Sequence, residues 1–234
     1  MVSLGGQVSV RILASLACMR FTGFPAEGFA FYEQLATHNT KAWWAEHRAT
    51  YDDCIKAPMT ALLAELAGEF GEAKVYRPYR DTRFSKDKAP LKDHQGAVVM
   101  IEDAIGYYVQ VSASGVMIGG GLYAPAPTQL ARLRAAIASP AGVSLETDLT
   151  RLRRGRWDVD GSPLKTRPKG YAADAPRLDL LRMTRVVATK TYDDPKTLAS
   201  RKALDAVRRD WRAITPMMEW LADHAGPEGD PDQD

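Results

Sequence analysis

The sequence predicts a fold of the α+β class, in which an antiparallel sheet has helices packed on it. Apolar residues recur with a helical period over residues 25–71 and at alternate positions over residues 97–121. Helical spacing returns from residue 126 onwards. Since no repeat or flexible linker interrupts residues 20–223, we expect a single domain there, with an N-terminal helical layer and a long C-terminal helix.

The N-terminal layer is predicted to contain three helices. The first covers residues 25–37, and the second covers residues 40–56 with Asn39 as its N-cap. The third begins at Pro58 and ends at Gly71, because proline suits a first helical turn and glycine suits a helix end. Their buried stripes are predicted to contain Phe29, Tyr32 and Leu35, then Trp43, Trp44, His47, Tyr51, Cys54 and Ile55, then Met59, Leu62, Leu63, Leu66 and Phe70.

Three β-rich segments follow, at residues 97–103, 107–113 and 115–121. The connections AIG and SG are short enough for hairpins, which makes the sheet antiparallel. The segment from Val75 to Tyr79 is a further candidate strand, and its proline would confine it to an edge of the sheet.

The second half of the chain is predicted to return to helices. The segment RWDVDGSPLK, residues 156–165, resembles a small hairpin, and RVVATKTY, residues 185–192, is a predicted strand. The helices are expected at residues 126–138, 143–154, 176–183 and 195–223.

Composition limits the function classes. The net charge of +2 gives no global attraction to nucleic acid or membranes, so any electrostatic function depends on local patches. Cys18 and Cys54 form no disulfide framework, which suits the cytoplasm. The apolar run Ile12 to Cys18 is too short for a membrane span. We expect residues 1–19 to be a disordered extension, or to precede a true start at Met19, and residues 224–234 to be an acidic disordered tail.

The segment YRPYRDTRFSKDKAPLK, residues 76–92, concentrates positive charge in a nearly neutral chain. Its arginines recur at every third position, and planar guanidinium groups suit phosphate or carboxylate oxygens. Asp81 is placed to orient an arginine, and Ser85 adds a hydroxyl donor. The sequence thus predicts a site for a small anionic ligand, formed by Arg77, Arg80, Asp81, Arg83, Ser85, Lys86, Lys88 and Lys92.

Two other segments are accessory candidates for this site. Lys165 and Lys169 belong to a second basic block, residues 151–169, which is otherwise explained as a solvated helix end with a hairpin. Gly119, Gly120 and Gly121 lie between a predicted strand and a helix, where backbone amides can approach an anion. Their structural explanation is a bulge or tight bend at the sheet edge.

Two alternative functions remain open. The chain is a nucleic-acid-associated protein if both basic blocks follow one groove. It is a scaffold or interaction module if the Arg and Asp residues form a structural network, since such networks imitate functional clusters. The sequence gives no indication of a membrane partner and leaves the oligomeric state undetermined.

The sequence does not decide whether the protein is an enzyme. The letters SKDK match Ser-x-x-Lys, but no partner motif accompanies them. His94, next to Asp93, is a candidate general base. The four histidines have no metal-ligand spacing, so no metal is expected. GGGLYA lacks the context of a dinucleotide fold, so no cofactor is expected either.

Four blocks of the sequence also resemble a known family. They are FTGFPAEGFAFYEQLATHNTKAWWAEHRATY, YRPYRDTRFSKDKAPLK, GGGLYAPAPTQLARLRAAI and LKTRPKGY. In this order they resemble the bacterial and fungal conserved hypothetical proteins labelled domain of unknown function 2461, from about Phe21 to Leu221. The resemblance implies no activity, because that family has no established one.

The sequence departs from the pattern of that family at four positions. His38 stands for a usual Asn and Trp44 for a usual Phe. Leu91 stands where Tyr is usual, and Ala175 stands where a His before proline is common. If those Tyr or His side chains were catalytic in the family, this protein would lack them.

Overall fold

The computed structural model describes residues 20–83 and 88–226. Its strands are β1 Ala73–Val75, β2 His94–Glu102, β3 Ile105–Ser112, β4 Gly115–Leu122, β5 Asp158–Asp160 and β6 Val186–Tyr192. Within the described ranges these strands form one open antiparallel sheet in the order β1-β2-β3-β4-β6-β5. Together with the helices, this sheet confirms the predicted α+β class.

The helices are α1 Ala26–His38, α2 Lys41–Tyr51, α3 Ala57–Phe70, α4 Pro127–Ala138, α5 Gly142–Arg154, α6 Leu178–Leu181, α7 Pro195–Leu198 and α8 Lys202–Ala225. A π-helical turn, Asp52–Lys56, joins α2 to α3. Among the described residues, no helix combines the length and the apolar composition that crossing a membrane requires.

The chain divides into two compact units, each built from several stretches. The first contains the described residues up to Ala97, with Gln110–Val116 and Asp193–Ala206. The second contains Val98–Val109, Met117–Tyr192 and the described residues from Val207 onwards. The single domain expected from the sequence stays a prediction.

The first unit holds the N-terminal helical layer. Gly28 of α1 lies so close to the backbone of Cys54 that a Cβ at this position would be 2.7 Å from the Cys54 carbonyl oxygen. Phe31 fills the space between the helices, with its ring 6.3 Å from that of Trp44 and 6.1 Å from that of Tyr51. Phe31, Tyr32, Trp44 and Tyr51 are therefore core residues of this layer.

Asn39 is not the N-cap of α2, so that prediction was wrong. The neighbouring Thr40 is the cap, and its hydroxyl accepts a hydrogen bond from the Trp43 backbone at 3.2 Å. Asn39 instead uses its side-chain amide to bind the backbone of Leu91. The two polar residues compete for one role, and the tertiary partner of Asn39 decides which of them takes it.

The second unit packs α8 on one face of its strands. The Tyr107 ring on β3 lies 5.2 Å from the Trp211 ring on α8. A Cβ at Gly120 would be 2.8 Å from a methyl group of Ile214 and 2.9 Å from the sulfur of Met218, so glycine lets α8 approach β4 closely. Trp211, Ile214 and Met218 of α8 are fully buried and form part of the core of this unit.

Three predicted elements differ from the structure. The candidate strand from Val75 to Tyr79 has the wrong bounds, since β1 covers Ala73–Val75 and Tyr79 forms only an isolated bridge with Leu91. Residues 156–165 form no local hairpin: β5 pairs antiparallel with β6, with Val159 opposite Ala188, because a longer strand supplies the better partner. The predicted helix over residues 195–223 is divided into α7 and α8. A Cβ on Gly23 would be 2.2 Å from the Ala199 backbone, so the N-terminal segment packs against this break.

Both predicted disordered ends fall largely outside the described residues. This applies to residues 1–19 and 227–234. The helix α8 extends two residues beyond the predicted domain end at 223, to Ala225.

Candidate functional site

The predicted anion-binding segment forms an irregular hairpin in the first unit. Tyr79 and Leu91 form an antiparallel bridge. The Arg80 amide donates to the Pro90 carbonyl at 2.9 Å, and the Lys92 amide donates to the Pro78 carbonyl at 2.8 Å. We call residues 76–83 and 88–92 the basic hairpin. Ser85 and Lys86, which the sequence predicts as part of the site, lie outside the described residues.

Uncharged residues from the helical layer hold the basic hairpin in place. The Asn39 amide donates to the Leu91 carbonyl at 3.0 Å and accepts from the Leu91 amide at 3.1 Å. The Trp44 indole N–H donates to the Tyr79 hydroxyl at 3.2 Å. These contacts attach both strands of the hairpin to the helical layer.

Gln95 provides a third attachment and is fully buried. Its Nε2 donates to the carbonyls of Tyr76 at 2.7 Å and Gly96 at 2.8 Å, and its Oε1 accepts from the Tyr51 hydroxyl at 2.5 Å. Burial raises the pKa of Tyr51 to about 12, so its hydroxyl stays a donor. The start of the basic hairpin therefore rests on a buried polar network whose donors and acceptors are paired.

Asp81 orients an arginine, and that arginine is Arg83. The guanidinium Nε and Nη2 lie 3.0 Å and 2.7 Å from the two carboxylate oxygens, and the Arg83 backbone amide adds a bond of 3.2 Å. The hydrogen bonds from Arg83 lower the pKa of Asp81, so the carboxylate stays ionised. The Arg83 side chain is 77% exposed, and its charged head is presented to solvent in a fixed direction.

Positive charge exceeds negative charge around the basic hairpin. The Lys88 ammonium donates to the Thr82 carbonyl at 2.9 Å, and the Lys92 ammonium lies 5.3 Å from the centre of the Tyr76 ring. The described cationic side chains are Arg77, Arg80, Arg83, Lys88 and Lys92, against the carboxylates of Asp81 and Asp93. The described residues of this region therefore carry a net positive charge.

His94, the candidate general base, is hydrogen-bonded to Asp93. Its Nδ1 lies 2.7 Å from an Asp93 carboxylate oxygen. This bond is the main cause of the lowered pKa of Asp93, and the charge of Arg80 contributes to it. A carboxylate that orients an imidazole is a common arrangement for a general base. The catalytic role of His94 stays a prediction.

The accessory candidates all lie in the second unit, and most of them are explained there by packing. A Cβ on Gly119 would be 2.5 Å from the carbonyl oxygen of Ala188. A Cβ on Gly121 would be 2.0 Å from the carbonyl oxygen of Val186. The three glycines therefore serve the close approach of β4 to β6 and α8, in the interior of the sheet and not at its edge. Lys165 and Lys169 are exposed. None of these five residues belongs to the basic hairpin.

Sequence reasoning missed the uncharged residues that position the basic hairpin. Asn39, Tyr51 and Gln95 carry no local signal for this role, because their partners lie 52, 44 and 19 residues away along the chain. The described residues also include no group of His, Cys, Asp or Glu side chains that could hold a metal ion.

A family model for conserved hypothetical proteins labelled DUF2461 matches residues 27–220. The chain belongs to this family. The match includes the basic hairpin and most of both units, and it confirms the resemblance seen in the four sequence blocks. Neither a curated protein nor a solved structure matches the chain.

Proposed function

We propose that this member of the family binds a phosphate- or carboxylate-bearing ligand at the basic hairpin. The observation that carries the proposal is the surplus of cations on a backbone that partly buried hydrogen bonds already hold in place. Arg77, Arg80, Arg83, Lys88 and Lys92 are the proposed ligands of the anion. The composition favours the cytoplasm as the location of this function.

Each component of the hairpin has a chemical task in this proposal. Guanidinium groups offer paired N–H donors that match two oxygens of one phosphate or carboxylate, and ammonium groups add point charges. Asp81 keeps Arg83 in one orientation, so less rotamer entropy is lost when an anion binds. No metal is required for recognition of this kind.

A thermal-shift screen of the full chain tests the proposal. The probes are inorganic pyrophosphate for phosphates and citrate for carboxylates, each at two salt concentrations. A ligand at a hundred times its Kd raises the melting temperature of a chain this long by about 5 to 10 °C. We expect such a shift with at least one probe and its loss in Arg80→Gln. No shift with either probe would refute the proposal.

A nucleic acid is the second candidate ligand, and one observation favours it. Tyr76 and Tyr79 are exposed within the basic hairpin, where aromatic rings between cations can stack on bases. A single-stranded oligonucleotide should then bind more tightly than inorganic polyphosphate of equal charge, which has no bases. Its affinity should fall steeply with salt. Equal affinity for both polymers would exclude this candidate.

The scaffold alternative makes the opposite prediction for Arg83. An ion pair as exposed as Arg83–Asp81 contributes little to stability, because water and salt screen it. We therefore expect Arg83→Ala to weaken anion binding and to leave the melting temperature unchanged. A lower melting temperature with unchanged binding would favour the scaffold.

A further inference from the structure

A second charged cluster lies in the second unit, where the buried stripe of α8 faces the end of β6. Asp210 is only 5% exposed although it is an acidic residue in an apolar stripe. Its carboxylate accepts hydrogen bonds from the Tyr192 hydroxyl, the Lys190 ammonium and the Arg209 guanidinium. We call these four residues the Asp210 cluster.

The donors keep the buried carboxylate ionised. Lys190 Nζ and Arg209 Nη2 each lie 3.1 Å from Oδ2 of Asp210, and Arg209 Nε lies 3.3 Å from Oδ1. Burial by itself raises the pKa of Asp210, but the hydrogen bonds from Arg209, Tyr192 and Lys190 outweigh it and lower the pKa. Burial and Asp210 raise the pKa of Tyr192, so its hydroxyl remains a donor.

The cluster contains more positive charge than the buried carboxylate requires. One cation is enough to neutralise Asp210, yet both Lys190 and Arg209 bind it. The Lys190 side chain is only 25% exposed, so its charge is largely withdrawn from water. With both cations on one carboxylate, the cluster carries one positive charge in excess, which a further anion would balance.

Both cations are held in fixed positions at the surface of this unit. The Lys190 ammonium lies 5.6 Å from the centre of the Trp157 ring, which stabilises it by a cation–π interaction. Arg209 uses its Nε and Nη2 edge for Asp210, so its Nη1 points to the opposite side. The Arg209 side chain is 66% exposed, so the end of the guanidinium formed by Nη1 and the second N–H of Nη2 remains accessible to solvent.

We propose that the Asp210 cluster is an oxyanion-binding site, in which Lys190 and Arg209 together bind one carboxylate or one phosphate group. Both contact the same oxygen of Asp210, so their nitrogens are no more than twice 3.1 Å apart, a span that one such group can bridge. Asp210 is a positioning residue, since it orients both cations. A bound anion of charge −1 makes the cluster neutral. This proposal does not depend on the function of the basic hairpin.

The test is a titration of the full chain, labelled with ¹⁵N-tryptophan, with inorganic phosphate or acetate at constant ionic strength. The readout is the indole N–H resonance of Trp157, assigned with Trp157→Phe. Arg209→Gln and Lys190→Gln each remove one proposed ligand, and Lys202→Gln removes an exposed cation from the same helix as a matched control. Repeating the titration in Arg77→Gln/Arg80→Gln separates this binding from binding at the basic hairpin.

We expect a saturable shift of the Trp157 resonance with at least one probe, unchanged in Lys202→Gln. Loss of one charged donor should weaken the apparent Kd about tenfold in each cluster variant. Because the Arg209 side chain is mostly exposed, the Arg209→Gln variant should remain folded. It can therefore still test the proposal if the Lys190→Gln variant does not fold. The proposal is wrong if the resonance does not saturate with either probe, or saturates with the same Kd in Arg209→Gln.

Discussion

The ion pair between Glu65 and Arg201 gives a quantitative prediction for the stability of the first unit. Arg201 Nη1 and Nη2 each lie 2.7 Å from a carboxylate oxygen of Glu65. The same carboxylate accepts the Phe21 backbone amide at 2.7 Å, and Arg201 also donates to the Phe21 carbonyl at 2.9 Å. Glu65 thus joins α3 to the N-terminal segment and to the residue just before α8. Replacing it with Gln keeps the shape and removes the charge.

The magnitude follows from the pKa of Glu65. The hydrogen bond from Arg201 is the main reason why this pKa is lowered from 4.5 to about 2. That difference corresponds to roughly 3 kcal/mol of stability, and screening by water at a side chain that is 25% exposed reduces it to about 2 kcal/mol. Because the folded-state pKa is depressed, this stabilisation is fully present above about pH 4.5 and is lost as the pH falls towards 2.

Urea denaturation at several pH values between 3 and 7 is the assay. We expect Glu65→Gln to lower the free energy of unfolding by about 2 kcal/mol at pH 7, and the difference from the wild type to shrink as the pH falls below 4.5. Glu72→Gln is the control, since Glu72 is an exposed glutamate just after the same helix. A difference between Glu65→Gln and the wild type that stays constant from pH 7 to pH 3 would refute this reasoning.

Three further substitutions test the packing and the site. Gly121→Ala should lower the free energy of unfolding by roughly 3 kcal/mol or more. The reason is that Gly121 has a φ of +144° and its new Cβ would lie 2.0 Å from the Val186 carbonyl oxygen. An unchanged urea midpoint would contradict this prediction. Gln95→Leu should lower the free energy of unfolding by about 1 to 3 kcal/mol, because it leaves buried carbonyls without donors. Calorimetric melting measures this loss, and a stabilised variant would contradict the prediction. Arg83→Ala should leave the melting temperature unchanged, since its partner Asp81 is exposed too; early melting would show a structural role.

Much of the fold could be predicted because its signals are local. The helical spacing of α1 to α5 and the alternation in β3 are properties of short stretches, and turns as short as SG leave little choice of partner. Pairing over longer distances could not be predicted in this way. The short strand β5 pairs with β6, which begins more than twenty residues later, and no local pattern around Val159 indicates that partner.

In the candidate site, too, local features could be predicted from the sequence and long-range contacts could not. Charge density is visible in a sequence, so the cations of the basic hairpin and the role of Asp81 as the orienter of an arginine could be predicted. The role of Asn39 could not be predicted. Its position next to Thr40 is typical of a helix N-cap, and its contact with Leu91 exists only in the folded chain. Asp210 lies in a helical stripe, and nothing local indicates that Lys190 on a strand is its partner.

Isothermal titration calorimetry of the full chain and its variants tests most directly the claim that the basic hairpin binds an anion. Pyrophosphate and citrate are titrated into the wild type, into Arg77→Gln/Arg80→Gln, and into the control Lys196→Gln/Lys202→Gln, which removes the same charge from exposed positions of the same unit. We expect binding of at least one probe that is weakened about tenfold or more by the hairpin substitutions and unchanged in the control. Equal affinity in the wild type and the hairpin variant, or equal losses in both variants, would contradict the claim that this hairpin recognises an anion.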